Sequence, residues 1–188
     1  KITITAQSTG ASVENMNLIN AGEMDLGIAM NNVAANAFDG VGAFSSPVTN
    51  VSSIGVVYNE VYQIVANAAT GAKKVAIGPA GSGTLGLSQK IFTAAGLDPN
   101  KDIQPQSDSF GDAATKMQDG HIDAACNVLA VPASSIIEMT TSMKLAYVNI
   151  SDDILETLQA TEPYFVRKVI PAGTYDGQTE DINTITCK

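Results

Sequence analysis

The sequence predicts an α/β fold in which strands and helices alternate along the chain. Two observations lead to this class. Residues 75–84 run from an apolar strand through a glycine-rich turn into a helical pattern, and a strand–helix–strand pattern occurs twice, near Ile4 and near Ile103. Such alternation favours parallel strands joined by helices. In sheets of this kind ligands bind beyond the carboxyl ends of strands, so the loops that follow strands are the candidate binding positions.

The glycine-rich turn, Gly78-Pro-Ala-Gly-Ser-Gly-Thr84, predicts a site for a small anion. Glycines let backbone N–H groups approach a ligand closely, and a helix N-terminus adds unsatisfied donors and partial positive charge. The predicted contacts are Gly81, Ser82, Gly83 and Thr84. The turn is not a Walker A loop, because Thr84 stands where a lysine is required, and its match to G-x-G-x-x-G is weak. A purely structural tight turn is the alternative.

The repeated pattern predicts two β-α-β units. The first copy consists of Ile4–Ser8, a helix capped by Ser12 and ending at Gly22, and the apolar run Leu26–Met30. The second consists of Ile103–Ser107, a helix that opens near Ser109 and ends at Gly120, and Ala124–Val128. A capping residue before each helix and a glycine after it are typical of helix ends. The alternative is that the two segments resemble each other by chance, because capping residues and terminal glycines are common at helix ends.

The remaining elements follow from local signals. Helices are predicted from Ser82 or Thr84 to Gly96, from Asn32 to Phe38, and from Ser151 or Asp152 onward. Strands are predicted at Ile54–Val57 and Val61–Ala66; the second would continue as a connector between two halves, with Val166–Pro171 as the return connector.

Composition excludes several classes of protein. The 188 residues are 45% hydrophobic, which is enough for one domain or two small ones. The net charge is −9 and Arg167 is the only arginine, so nucleic-acid binding and a basic membrane patch are not expected. No apolar run reaches transmembrane length and no leader stands at Lys1, which predicts a chain that does not span a membrane and whose signal peptide, if it had one, has been removed.

Few residues are suited to catalysis or metal binding. His121 is the only histidine, so Ser-His, Cys-His and multi-histidine constellations are absent; no enzyme activity, metal or cofactor is predicted, although carboxylate catalysis stays open. Cys126 lies in an apolar run and is expected to be a buried free thiol. A disulfide with Cys187 is the alternative, and the cysteines leave the compartment open.

Polar residues at other strand ends complete the predicted site. Ser8 and Thr9, with Asn31 or Asn32, follow predicted strands and would hold the polar group at the other end of an acidic solute, from the opposite lobe. Local capping is the alternative for each of them.

Five motifs carry a family resemblance: Gln7–Asn15, Ala21–Ile28, Gly78–Thr84, Asp119–Ala125 and Ile170–Gln178. With these motifs the chain resembles the solute-binding receptors of TRAP transporters, of the TAXI type, over nearly its whole length. The resemblance implies a two-lobed fold like that of type II periplasmic binding proteins, each lobe a mostly parallel sheet flanked by helices, with two hinge connectors. The implied lobes are residues 1–62 plus 171–188, and residues 63–170.

The resemblance also implies a function. A periplasmic monomer without a cofactor would capture a small carboxylate or amino acid, such as glutamate or 2-oxoglutarate, and deliver it to the TRAP membrane subunits. Tyr58 and Glu60 match a family position that faces the ligand, with half-buried core and a hinge salt bridge as their alternatives. Arg167 is expected at the surface instead of clamping a carboxylate. A ligand-sensing domain of a regulator or sensor is the alternative function.

The chain departs from the family pattern in three respects. Family receptors start earlier and continue beyond Cys187, so the first lobe is expected to be incomplete. A short family helix is missing between Gly71 and Lys73. Ala130 and Ala133 replace a glycine and an asparagine that are common beside Pro132.

Overall fold

A computed structural model describes residues 3–187, and these residues form six α-helices and seven β-strands. Their bounds are α1 Ser12–Ala21, α2 Asn31–Asp39, β1 Val61–Asn67, β2 Lys74–Ala76, α3 Gly83–Ala94, β3 Gln104–Gln106, α4 Phe110–Gln118, β4 Ala124–Leu129, α5 Ser134–Thr140, β5 Leu145–Val148, α6 Asp152–Gln159, β6 Phe165–Ile170 and β7 Ile182–Cys187. The predicted α/β class is confirmed.

The chain divides into two compact units. The smaller unit contains the residues up to Ile54 together with Ala80–Gly83, and the larger unit contains Gly55–Pro79 and the residues from Thr84 onward. The lobe boundaries implied by the family resemblance, 1–62 with 171–188 and 63–170, stay a prediction; the compact units divide the chain at other positions.

The smaller unit is helical in its described part. Helices α1 and α2 enclose a small core formed by Met16, Val33, Ala37, Phe44 and Val48. Gly22 ends α1 in the left-handed conformation, as predicted for a C-terminal glycine.

The strands predicted in the first repeat are wrong. Ile4–Ser8 and Leu26–Met30 have no strand structure, and Ile4 is 83% exposed. A strand is stabilised by neighbours that pair with its backbone and cover its side chains, and the described residues supply none to these segments. Only the helix of the first predicted β-α-β unit is therefore present.

The larger unit is built on one seven-stranded sheet, in the order β3-β2-β4-β1-β7-β6, with β5 also paired to β1. Strand β2 is parallel to β3 and β4, whereas every other pairing is antiparallel. The sheet is therefore mixed and not mostly parallel as predicted. The second predicted β-α-β unit is present as β3-α4-β4.

Two predicted connectors are sheet strands. Val61–Ala66 forms most of β1, which pairs with β4 along one edge and with β5 and β7 along the other. The segment predicted as the return connector lies mainly in β6, which pairs with β7. Ile54–Val57, predicted as a strand, is unpaired and exposed.

Alternation along β1 gives the sheet two different faces. On one face Val61 and Val65 join a core that includes Ile136 and Met139 of α5. On the other face the Tyr62 hydroxyl donates to Ser88 Oγ of α3 at 3.0 Å. Cys126 is a buried free thiol, as predicted, and burial raises its pKa to about 11.

Candidate functional site

The carboxyl ends of three strands meet at one edge of the larger unit's sheet. Because β2 is parallel to both β3 and β4, the three strands run toward the same edge; Ala76 lies level with Gln106 and Ala125, and β4 continues past this level to Leu129. The Ile77 N–H donates to the Gln106 carbonyl at 2.9 Å and continues this alignment past the end of β2. The loops that follow lead to helices α3, α4 and α5. This edge is where the sequence predicts ligand-binding loops.

The turn after β2 requires glycine at two positions. Gly78 and Gly81 have φ angles of 109° and 72°, a region that side-chain-bearing residues rarely adopt. A Cβ atom on Gly78 would also lie 2.7 Å from Thr84 Cβ. The glycines therefore have a structural requirement of their own, which gives the tight-turn alternative a physical basis.

The turn residues predicted as ligand contacts differ in accessibility. Gly81 is exposed and Ser82 is partly buried. Gly83 is buried, and Thr84 is only 1% exposed. Among these four residues, Gly81 and Ser82 are thus the ones that solvent can reach.

Three loops converge within the smaller unit. The Thr9 hydroxyl donates to Asn15 Oδ1 at 2.6 Å, and Asn15 Nδ2 donates to the Ile28 carbonyl at 2.8 Å. The Val13 N–H donates to the Gly81 carbonyl at 3.2 Å. The loop before α1, the segment before α2 and the glycine turn are consequently linked through α1.

Ser12 has a different role from the predicted one. It is the first residue of α1, the N-cap position is Ala11, and no side chain caps the helix. The Ser12 hydroxyl instead accepts the Met30 N–H at 3.1 Å and so fixes the chain just before α2.

Asn32 and Gly83 hold α2 against the turn. Asn32 Nδ2 donates to the Gly83 carbonyl at 3.4 Å, while Asn32 Oδ1 accepts the Val33 N–H at 2.9 Å. A Cβ atom on Gly83 would collide with Met30 Sδ and lie 2.7 Å from Asn32 Oδ1. Both residues are therefore committed to packing within the unit.

The predicted site residues of the smaller unit that reach solvent are Ser8, Thr9, Asn31, Gly81 and Ser82. The described part of this unit contains no lysine, arginine or histidine, while it carries the carboxylates of Glu14, Glu23, Asp25 and Asp39. An anion at these loops would therefore depend on neutral donors from this unit.

A cavity of about 440 Å³ lies beside α1 in the smaller unit. Its lining includes Gly10, Glu14, Glu23 and Gly81. The Glu14 carboxylate accepts the Gly10 N–H. The two carboxylates in the cavity wall would repel an anion. The cavity is therefore not a candidate for the anion site that the sequence predicts at the glycine-rich turn.

Tyr58 and Glu60 contact each other just before β1. The Tyr58 hydroxyl donates to Glu60 Oε1 at 3.1 Å, and the tyrosine is half exposed. Burial raises the pKa of Glu60, against the opposing effect of the Tyr58 hydrogen bond. Burial and the neighbouring Glu60 charge raise the pKa of Tyr58. No ion pair found in the described chain involves Glu60, so the salt-bridge alternative is not seen.

Arg167 is engaged by its own sheet and helix. Its Nη1 donates to the Ile150 carbonyl at 2.6 Å and to the Thr184 carbonyl at 3.2 Å, and its Nη2 donates to Asp152 Oδ1 at 2.6 Å. These contacts occupy the guanidinium, and a role of Arg167 outside the binding site stays a prediction.

Sequence reasoning missed a buried polar cluster that includes the loop after β4. The Tyr175 hydroxyl accepts the Ala133 N–H at 2.9 Å, in the loop between β4 and α5, and donates to Gln63 Oε1 at 2.5 Å. One signal was available. Gln63 is a polar residue that faces the same side of β1 as Val61 and Val65, and buried polar side chains require partners.

Strands joined by helices, with their loops gathered at one sheet edge, define an α/β protein with the loop arrangement that ligand-binding members of this class use. The chain belongs to the NMT1-like family, which matches it over residues 1–188.

A solved structure is also similar: the periplasmic aliphatic sulphonate binding protein SsuA from Escherichia coli, with 23% identity and a TM-score of 0.37. The match covers 47% of this chain and 30% of that one, so the chain corresponds to less than a third of that relative. Across residues 3–187, every helix is too short or too polar to cross a bilayer.

Proposed function

We propose that the protein is an extracytoplasmic solute-binding receptor that captures a small carboxylate or amino acid. Its cargo would be a solute such as glutamate or 2-oxoglutarate, and it would act in the periplasm and deliver the solute to a TRAP-type membrane transporter. Family membership and the TAXI-type motifs support a binding protein. The observation that carries the proposal is the convergence of three polar loops on α1 in the smaller unit.

The proposed anion site is at Gly81 and Ser82, in the turn that precedes α3. Backbone N–H groups and the Ser82 hydroxyl would hold one carboxylate, helped by the positive end of the α3 dipole. Neutral donors suit this unit, because its described residues contain no cationic side chain. Ser8, Thr9 and Asn31 would contact the polar group at the far end of the solute.

The roles of the remaining predicted contacts follow from their burial. Asn32, Gly83 and Thr84 are buried, so they would shape the turn more than touch the solute. Tyr58 and Glu60 stay candidates because part of their surface is accessible. The two-lobed arrangement, with lobes 1–62 plus 171–188 and 63–170, also belongs to the proposal.

A binding panel tests this function directly. Purified protein is titrated with L-glutamate, L-glutamine, 2-oxoglutarate, a neutral amino acid and an aliphatic sulphonate, and unfolding and heat of binding are measured. A true ligand at a hundredfold excess over its dissociation constant should stabilise the fold by about 2.7 kcal/mol. Mass spectrometry of the recovered ligand should show no chemical change.

Two outcomes would contradict the proposal. The first is stabilisation by a nucleic acid or a metal ion while the whole panel has no effect. The second is conversion of a panel compound to product, which would indicate an enzyme. Delivery is tested separately, by measuring whether the loaded protein drives uptake into vesicles that contain TRAP membrane subunits.

A further inference from the structure

The cavity beside α1 has the size of a small-molecule site and lies wholly within the smaller unit. Its volume of about 440 Å³ is in the range of roughly 300–1,000 Å³ that such sites occupy. One wall is a face of α1, on which Glu14, Leu18 and Ala21 lie three or four positions apart. Gly81 lines the cavity from the glycine-rich turn, which belongs to the same unit. The larger unit contributes no lining residue.

The charges of the cavity favour a cationic group. Glu14 and Glu23 are in its lining, and the described residues of the smaller unit include no lysine, arginine or histidine to neutralise them. The positive end of the α1 dipole, equivalent to about half an elementary charge, opposes the carboxylates only in part. The cavity would therefore attract an ammonium group.

The cavity adjoins the proposed anion site. Gly81 belongs to that site and also lines the cavity. The Val13 N–H donates to the Gly81 carbonyl at 3.2 Å, and a Cβ atom on Gly81 would lie 3.7 Å from Val13 Cβ. The glycine-rich turn thus packs on the first turn of α1, in which Glu14 follows Val13. A negative and a positive group of one solute would meet neighbouring parts of the protein.

Glu14 and Glu23 differ in their distance from that turn. Glu14 Oε2 accepts the Gly10 N–H, which holds the side chain at the start of α1. A carboxylate has several acceptor positions, so this bond leaves capacity for an ammonium donor. Glu23 follows the C-terminal end of α1, and most of this helix of 10 residues, about 15 Å long, separates it from Glu14.

We infer that this cavity is an ammonium subsite and that the solute is a zwitterionic α-amino acid. Glu14 binds the α-ammonium group, while the turn at Gly81 and Ser82 binds the α-carboxylate. A single carbon atom joins these two groups, which suits two adjoining subsites. The inference rests on the proposed function and narrows it, because it favours amino acids over oxoacids such as 2-oxoglutarate.

Paired probes test the solute class on the wild-type protein. L-Glutamate and 2-oxoglutarate differ only in the group at the α-carbon, and L-alanine and pyruvate differ in the same way. Calorimetry is run on these four compounds, on L-glutamine and on the N-acetyl derivative of each amino acid, in which the ammonium group has become an amide. The amino acid that binds best should lose more than tenfold in affinity when it is acetylated, and neither oxoacid should bind as tightly.

Glu14→Gln tests the residue, and Glu23→Gln is the matched control. Both variants remove one negative charge from the cavity lining, and glutamine keeps an oxygen that can accept the Gly10 N–H. Water screens the exposed Glu14 carboxylate, so the expected effect is moderate. Glu14→Gln should weaken binding of the best amino acid at least fivefold without weakening that of the oxoacids. Glu23→Gln should change amino-acid binding by less than twofold.

Three results would overturn the inference. The first is an acetylated amino acid or an oxoacid that binds the wild type as tightly as the best amino acid does. The second is an equal loss of affinity in the two variants, which would indicate a general effect of charge. The third is lower stability of Glu14→Gln in urea with equal loss for amino acids and oxoacids, which would indicate a structural role. The wild-type measurements decide even if this variant fails to fold.

Failure of the proposed function is distinguishable from failure of the inference. If no carboxylate or amino acid binds the wild type, the receptor function fails and the inference fails with it. If the oxoacids bind and the amino acids do not, only the inference fails.

Discussion

Adding a methyl group at two glycines of α3 should change stability in opposite directions. Gly83 is the first residue of the helix, and Gly86 lies one turn further along. A Cβ atom on Gly86 would have no neighbour within 4 Å. Gly86→Ala should therefore stabilise the protein by about 0.5–1 kcal/mol, the usual difference between the two residues inside a helix.

Gly83→Ala should be destabilising, because the new Cβ meets two side chains. Met30 Sδ, which the new Cβ would meet first, belongs to a flexible side chain that can move. Asn32 Oδ1, 2.7 Å away, belongs to an amide held by hydrogen bonds to the Val33 N–H and the Gly83 carbonyl. Displacing that amide weakens hydrogen bonds that contribute about 1 kcal/mol each. With the helix gain of about 0.5–1 kcal/mol set against a cost of about 2 kcal/mol for two hydrogen bonds, the net loss should be about 1–1.5 kcal/mol.

Urea unfolding at neutral pH, followed by circular dichroism, measures both free energies. Gly83→Ala should also speed hydrogen exchange at Met30 and Asn32, since the strain falls there. The reasoning is refuted if Gly83→Ala is as stable as the wild type, or if the two variants shift stability in the same direction. Equal slopes of free energy against urea are needed for the comparison.

Three further predictions concern the site and the titrating groups. Ser82→Ala should weaken ligand binding by about 1–2 kcal/mol with little loss of stability. Thr84→Ala, at a buried position, should lower the melting temperature more than it lowers the ligand affinity. Calorimetry measures the affinity and thermal unfolding measures the stability, and the reverse pattern would contradict the proposed contacts. Hydrogen bonds from the backbone N–H groups at the start of β2 lower the pKa of Asp123, so its contribution to stability is present above the unfolded pKa of about 3.9 and is lost as pH falls through the folded value. Asp123→Asn should lose less stability than the wild type between pH 5 and pH 2 (about the range of that transition) in unfolding titrations, and identical losses would count against this account. The buried Cys126 thiol, with its pKa raised to about 11, should react with a maleimide at neutral pH more slowly than Cys187 does. Peptide mass mapping identifies which cysteine is labelled first. Equal labelling of both cysteines in the folded protein would contradict this prediction.

Local signals in the sequence predicted much of the larger unit. Ser109 and Ser151 cap α4 and α6 by accepting the N–H groups of Asp112 and Ile154, as the sequence indicates. A side chain three residues from its partner makes such contacts within one turn, so the pattern is visible in the chain itself. The β3-α4-β4 unit was predicted for this reason.

Several features that depend on distant partners were not predicted. Strand β7 was missed although Ile182, Thr184, Ile185 and Thr186 are β-branched residues that favour strands; its pairing with β6 and β1 is what the local pattern does not indicate. The opposite error occurred at Leu26–Met30, where an apolar run predicts a strand but no described neighbour pairs with it. Sheet order was also beyond reach, so the antiparallel half of the sheet was missed.

The candidate site was predictable as a position and less so in its details. The glycine turn and the polar strand ends identify the loops, but Gly83 and Asn32 form their contact across 51 positions of sequence. Nothing local indicates that this asparagine is used for packing while Asn31, its neighbour, is exposed. The Tyr175 cluster is longer in range still, since Tyr175 and Gln63 are 112 positions apart.

Strand β1 has a consequence for how the chain reaches this fold. It pairs with β4, β5 and β7, and the Thr184 hydroxyl donates to the Tyr62 carbonyl across 122 positions. Each of these contacts requires the closure of a long loop, which costs conformational entropy before the contact adds any stability. Folds with many distant contacts therefore fold slowly. On a ribosome, β1 is made well before β4, β5 and β7, so its backbone groups stay unpaired until those strands have been synthesised. We expect the pairing of β1 with these later strands to limit the folding rate, while the helices, whose hydrogen bonds are local, form early.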